Sequence, residues 1–311
     1  MSVITVRAPA KVNLQLSVGP PRPDGYHDLL NVFQAVSLHD EVSAEDAEDF
    51  TVSVVAASGG PDLSGVPEDG NNLALRAARL LAERTGICDG VRLRIRKAIP
   101  VAAGMAGGSA DAAAALVACD ALWQTHLRRE ELTGLAAQLG ADVPFALLGN
   151  TAVGVGRGDV LSPVLGRGQF HWVFALADHG LSTPAVYAEC DRLREVDPDW
   201  TKDLREEVDP GLLAALRSGD APALGAALYN DLTAAALSLS PRLADTLALG
   251  PEQGALGSIV CGSGPTCAFL VSSAAAALDL AVALTAMGLC RDVKRAVGPV
   301  GGARLLGGIA A

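Results

Sequence analysis

Apolar and polar residues alternate from Val3 to Val18, as on a strand with one face buried, and the alternation is interrupted at Ala8-Pro9-Ala10-Lys11. A turn-rich stretch with three prolines, Gly19 to Gly25, follows. Val32 to Val42 and Thr51 to Val55 read as further strands, and Ala56 to Asn71 as a loop of Gly, Pro, Ser and acidic residues. Asn72 to Arg84 places its apolar residues at helical spacing and stops at Thr85-Gly86. Val91 to Lys97 alternates apolar and basic residues, again as a half-buried strand. A glycine-rich loop then enters an alanine-rich helix that runs well past Leu116, and Glu130 to Leu139 forms a short helix ended by Gly140.

Strand-like runs near Ala152 and Trp172 close the first half. The charged stretch Glu189 to Asp209 reads as a boundary region or a lid. Leu212 to Leu237 looks like one helical run with Asn230-Asp231 inside it. Ile259 to Val271 has a strand–glycine–strand pattern, and Ser272-Ser273 starts an amphipathic helix ending at Gly288. Ala268 to Cys290 could be mistaken for a membrane span. Its alanines and serines contribute little to insertion, and Asp279 stands in its middle at a cost of about 2.5–3.5 kcal/mol. Strands and helices mix without a regular βαβ rhythm, so the pattern predicts an α+β layered fold.

The stretch that carries chemistry is Pro100-Val101-Ala102-Ala103-Gly104-Met105-Ala106-Gly107-Gly108-Ser109-Ala110. Small residues entering a helix leave backbone N–H groups unpaired at the positive end of the helix dipole, which suits an anion, most often phosphate. The loop is neither common phosphate motif. No lysine precedes Ser109, as the P-loop requires, and Asp120 lies inside the helical run rather than after a second strand. Composition alone leaves two readings open: a phosphate cradle, or a turn that lets a helix pack closely on a sheet.

The chain has 311 residues, enough for one large domain or two ordinary ones. Half are hydrophobic and only 4% aromatic, so the core is packed from Ala, Val and Leu. A formal net charge of −11 argues against a nucleic-acid partner and against an anionic membrane surface. Any phosphate site must therefore be built locally, from amides and a few cations. The six cysteines form no CxxC pair and no two histidines have metal-ligand spacing, which argues against zinc. Scattered cysteines and an N-terminus without a signal peptide predict reduced thiols and a cytoplasmic protein. Oligomeric state is not legible.

Three further features bear on the loop. Lys11 follows a proline break and is either a cleft residue or a solvated lysine. Asp142, in Gly140-Ala-Asp-Val-Pro-Phe145, is either a helix cap ahead of Pro144 or a partly buried carboxylate that accepts a proton from a hydroxyl. Gly262-Ser263-Gly264-Pro265 is a second glycine turn, and such turns often only connect strands.

Together and in this order, these features resemble the three motifs of the GHMP kinases, over essentially the whole chain. Ala8-Pro-Ala-Lys-Val-Asn-Leu14, Asp24-Gly-Tyr-His27, Gly140-Ala-Asp-Val-Pro-Phe145 and Asn230-Asp231 resemble the branch acting on a cytidine-diphosphate methylerythritol. Met105 and Ala110-Asp111, where many members have Leu and Ser-Asn, look like its actinobacterial form. The resemblance implies a two-domain fold, residues 1–165 resembling ribosomal protein S5 and residues 166–311 ferredoxin-like, with the active site between them. It implies ATP-dependent phosphorylation of the substrate's 2-hydroxyl, with ATP and Mg²⁺ bound and small molecules as partners. The alternatives are another kinase of the family, acting on homoserine or mevalonate, against which Tyr26 and His27 speak, and a nucleotide-binding protein without catalysis, against which Lys11 and Asp142 speak together.

On that resemblance, residues 100–110 wrap the triphosphate, with Ser109 near the β- and γ-phosphates and the magnesium, and Gly262, Ser263 and Gly264 close around the phosphates. Asn72 and Lys97 line the adenosine pocket. Asp142 takes the hydroxyl proton, Lys11 stands against its charge, and Asn13 sits beside them. Tyr26 stacks on the cytosine, His27 bonds its edge, and Tyr187 covers the other face. Tyr26 and Tyr187, the latter more readily, can also be read as core-edge aromatics, and His27 as a cap. His39, His126, His171 and His179 have no partner pattern and are given no role.

Overall fold

In the computed structural model, which describes residues 3–87, 89–196 and 205–307, the alternating N-terminal segment is one long strand, β1 (Ile4–Pro21). The proline break does not end it. A shift of register between Pro9 and Ala10 absorbs the interruption as a bulge against β2 (His27–Ala47). β1 and β2 are the centre of a mixed sheet that continues through β4 (Gly90–Lys97) to β3 (Thr51–Ala56), with β5 (Thr151–Gly156) attached along β2 and β6 (Val160–Pro163) paired to β5. In β4, Val91, Leu93 and Ile95 are buried while Arg92, Arg94 and Arg96 face out, as their alternation predicts. Lys97 occupies the next inward position.

One side of this sheet is covered by α1 (Leu73–Thr85), α2 (Gly107–Trp123), α3 (Arg129–Leu139) and α4 (Val143–Leu148). α2 is central, packing on α1, β1 and β2. Alanine on nearly every side lets it be buried all round, from Ala110 to Cys119. Asn72 caps α1 and Gly86 ends it in the left-handed region, close to the predicted limits.

A second, antiparallel sheet runs β11 (Asp292–Gly298), β7 (Phe170–Leu176), β10 (Cys267–Val271), β9 (Gly257–Val260). That is the strand order of a ferredoxin-like unit. Its first crossover begins with α5 (Thr183–Val196), and its second is α10 (Ala274–Ala286), capped by Ser273. The segment that mimics a membrane span is thus β10 and α10, and among the described residues no helix is long and apolar enough to cross a membrane. The sheets are joined through the core, where Trp172 donates its indole N–H to Gln34 at 3.0 Å.

One predicted element is different. Leu212 to Leu237 is not a single helix but α6 (Pro210–Ser218), α7 (Ala221–Ala227), a two-residue strand β8 (Tyr229–Asn230) parallel to β1, and α8 (Thr233–Leu239). Gly219 ends α6 in the left-handed region and Asp220 caps α7. At β8 the pull of β1 and of the Asn230 side chain outweighs helical propensity. The charged stretch before it continues α5 to Val196 and resumes as the lead into α6. Residues 197–204, and with them the lid reading, lie outside the described residues.

Candidate active site

The glycine loop runs from the end of β4 over the start of α2. Ala106, the residue before the helix, is in the left-handed region and makes no side-chain cap. The first-turn N–H groups of Gly107, Gly108 and Ser109 therefore point out without a capping acceptor. Gly104, at φ 69°, lets the loop lie directly on the late turn. A side chain there would place its Cβ 2.1 Å from the carbonyl oxygen of Cys261. The late turn is held from behind by Asn230, whose amide donates to the carbonyls of Val260 and Gly262, both at 2.8 Å. Ser263 bonds the hydroxyl of Thr183 at 2.9 Å, tying the turn to α5. Asp231 in turn accepts from the Val18 N–H at 2.7 Å and from the Tyr229 hydroxyl.

Lys11 enters from β1, almost fully buried. Its Nζ donates to Asn13 Oδ1 at 2.7 Å and stands 4.0 Å from Asp142 Oδ2. Asn13 passes the chain on, donating to Asn31 at 3.0 Å. Asp142 is at the cap position of α4, yet its side chain makes no capping bond and is 33% exposed. Its side chain is therefore not a helix cap. The carboxylate instead faces Lys11 and a small cavity of about 170 Å³ shared with Asn13, Gly104, Gly262 and Ser263.

That cavity adjoins a cleft of about 690 Å³ that also borders Asp142, with Ser109, Tyr26, His27 and Tyr187 along its wall. The His27 and Tyr187 rings are 5.1 Å apart and tilted by 45°. His27 Nε2 is 3.0 Å from Asp191 Oδ1, so Asp191 orients the imidazole. Tyr26 is 60% exposed at the rim. Burial pushes the Tyr187 phenol up, with Asp142 adding to the shift.

On the far side of the loop is a third cavity, about 300 Å³, lined by Pro67, Lys97, Pro100 and the loop residues to Gly108. Lys97 borders it, but its ammonium is buried between Asp40 at 2.5 Å and Asp111 at 2.7 Å. Asp40 also accepts from the N–H groups of Ala98 and Ile99, which anchors the root of the loop. Burial works to lower the Lys97 pKa, but Asp111 and Asp40 outweigh it and raise it. Burial raises the Asp111 carboxyl in spite of Lys97, and one of its oxygens has no partner. The Asn72 side chain is taken up by the N–H groups of Ala74 and Leu75 and by the Pro67 carbonyl. It does not line this cavity; it holds Pro67, which does.

Lys11, Asn13, Tyr26, His27, Ser109, Asp142, Tyr187, Gly262 and Ser263 thus line the two adjoining cavities and most of residues 100–108 the third, whereas Met105 and Ala110 are buried and, like Gly264, line none of the three. Sequence reasoning missed Asp191, Thr183 and the Asp40–Lys97–Asp111 cluster. Asp191 had a signal: it is four residues from Tyr187 on one helix face. The cluster had none, since its members are far apart in sequence. Among the described residues no group of three or more His, Cys, Asp or Glu could hold a metal by itself.

A model of the GHMP kinases N terminal domain matches residues 72–150, and one of the GHMP kinases C terminal matches residues 212–288. The chain is 56% identical to the 4-diphosphocytidyl-2-C-methyl-D-erythritol kinase of Leifsonia xyli subsp. xyli, covering 98% of this chain and 99% of that one. It is 57% identical to the enzyme of that name from Streptomyces coelicolor, covering 97% and 99%. A crystal structure of 4-(cytidine 5'-diphospho)-2C-methyl-D-erythritol kinase superposes with a TM-score of 0.75 at 33% identity, covering 98% of this chain and 100% of that one.

Proposed function

Since the chain belongs to the GHMP kinase family, we infer that it transfers the γ-phosphoryl group of ATP to the 2-hydroxyl of 4-diphosphocytidyl-2-C-methyl-D-erythritol, giving the 2-phosphate and ADP for isoprenoid precursor synthesis. The observation that carries the reading is the Asp142 carboxylate, unused as a cap and 4.0 Å from Lys11, between the glycine loop and the aromatic wall.

Phosphoryl transfer needs positioning and charge neutralisation more than covalent help. Asp142 accepts the proton of the 2-hydroxyl, which requires an approach of about 2.6–3.2 Å. The freed oxygen bonds to the γ-phosphorus as the bond to the β–γ bridging oxygen breaks, and that oxygen leaves on ADP. Lys11 offsets the charge that gathers between Asp142 and the phosphoryl oxygens. Asn13 fixes the Lys11 ammonium by accepting one of its hydrogens. The first-turn amides of α2 receive the phosphates, and the cavity behind Lys97 and Pro67 takes the nucleoside.

Magnesium fits this donor set. Ser109 offers a hydroxyl and Asp142 a carboxylate at the mouth of the loop, and such ions take their other ligands from phosphate and water. When bound, the ion neutralises phosphate charge. Tyr26 and Tyr187 hold the cytosine between rings, and His27, fixed by Asp191, meets its edge. The chain divides near residue 165, in the connection from β6 to β7, and it works in the cytoplasm.

The test is ADP release with 4-diphosphocytidyl-2-C-methyl-D-erythritol, homoserine and mevalonate offered separately. Turnover with the cytidine substrate alone supports the reading. Turnover with either of the others and not with it overturns the reading.

A further inference from the structure

Arg157 stands at the tip of the β5–β6 hairpin, between Gly156 and Gly158, both with positive φ. β5 pairs with β2 so that Gly156 lies opposite Leu29, two residues after His27. This register brings Arg157 to the wall of the same cleft as Tyr26, His27 and Tyr187. The other acidic or basic side chains on that wall are carboxylates, Asp142 and Asp191, apart from His27, which Asp191 engages. Lys11 faces the deeper cavity. A wall of that sign repels a phosphorylated ligand unless a cation stands near the entrance. Arg157 supplies it. Asp159 takes one of its five N–H donors, at 2.9 Å, and the side chain remains 46% exposed.

We propose that Arg157 binds the diphosphate of the nucleoside-diphosphate substrate and makes the cleft prefer a phosphorylated cytidine over bare cytidine. The assignment rests on the reading of this cleft as the cytidine site. A guanidinium matches phosphate oxygens with parallel donors, and its remaining N–H groups suit a ligand that bridges from the aromatic wall toward Asp142. Arg157 takes no part in the chemical step, so its effect falls on binding.

The test is calorimetric titration of the full chain, its ATP site saturated with a non-hydrolysable ATP analogue and magnesium, with cytidine and with CDP. Wild type binds CDP more tightly than cytidine. Arg157→Ala weakens CDP about tenfold, the low end for a charge-assisted contact because the side chain is half exposed, and leaves cytidine unchanged. Arg157→Lys recovers part of the loss, and the salt dependence of CDP binding is weaker in Arg157→Ala. In turnover, KM for the cytidine substrate rises and kcat holds. Unchanged CDP affinity, or equal losses for cytidine and CDP, overturns the assignment while the cytidine reading stands. If wild type binds neither ligand, the cytidine reading fails and the assignment falls with it.

Discussion

Gly104 is where the glycine loop and the late turn touch, and Gly104→Ala measures how tightly they must fit. The residue is at φ 69°, a region that costs a side-chain-bearing residue roughly 1–2 kcal/mol. The new Cβ would also stand 2.1 Å from the Cys261 carbonyl oxygen, and contacts under 3.0 Å are not tolerated, so loop and turn must part by at least 0.9 Å. Overpacking of this kind costs about 1–3 kcal/mol. The expected loss of stability is therefore about 2–5 kcal/mol. A displacement of roughly 1 Å in a positioning loop lowers turnover by on the order of a hundredfold. Gly108→Ala is the contrast: nothing lies within 4 Å of its added Cβ. It gains roughly 0.5–1 kcal/mol as a helical alanine and is expected to raise KM for ATP by intruding on the proposed phosphate site. Thermal unfolding with steady-state kinetics reads both. A Gly104→Ala protein that melts and binds ATP like wild type refutes the contact between loop and turn. A Gly108→Ala protein with unchanged ATP affinity refutes the phosphate cradle.

Tyr26→Ala raises KM for the cytidine substrate about tenfold or more, as lost base stacking does, and leaves KM for ATP unchanged. Equal effects on both substrates remove the stacking role. Asp111→Asn changes the pH dependence of folding. Burial raises the Asp111 carboxyl from 3.8 to about 8, so wild type binds the proton more tightly when folded than unfolded. The stabilisation from that proton is full below pH 3.8 and is lost as pH rises through about 8. The variant lacks this decline, so melting temperatures relative to wild type climb across the interval; a constant difference contradicts the raised value.

Much of the frame was legible because it is local. The limits of α1 near Asn72 and Gly86, the buried-and-exposed rhythm of β4, and the strand–loop–helix around Ser109 follow from short-range spacing. β1 was legible in type but not in continuity, because a bulge carries it through Pro9. The helical run over residues 212–237 failed for the opposite reason: β8 exists only because β1 and the late turn come to meet Asn230. The same limit hid Asp40 and Asp111 around Lys97, whereas Asp191, one helical turn after Tyr187, had a local signal that was missed. Periodicity places Lys97 inward beside Ile95, but only the folded chain brings the two carboxylates that make that position tolerable. For Asp142, sequence left the choice between cap and base open, and the side chain's orientation toward Lys11 decides against the cap.

The central claim is that Asp142, faced by Lys11, takes the proton of the attacking hydroxyl. Asp142→Asn keeps the shape and removes the base, so the direct measurement is kcat of this variant beside its calorimetric affinity for ATP. The expected result is a fall in kcat of about 10²–10⁴-fold with ATP affinity close to wild type. Turnover within a few-fold of wild type contradicts it.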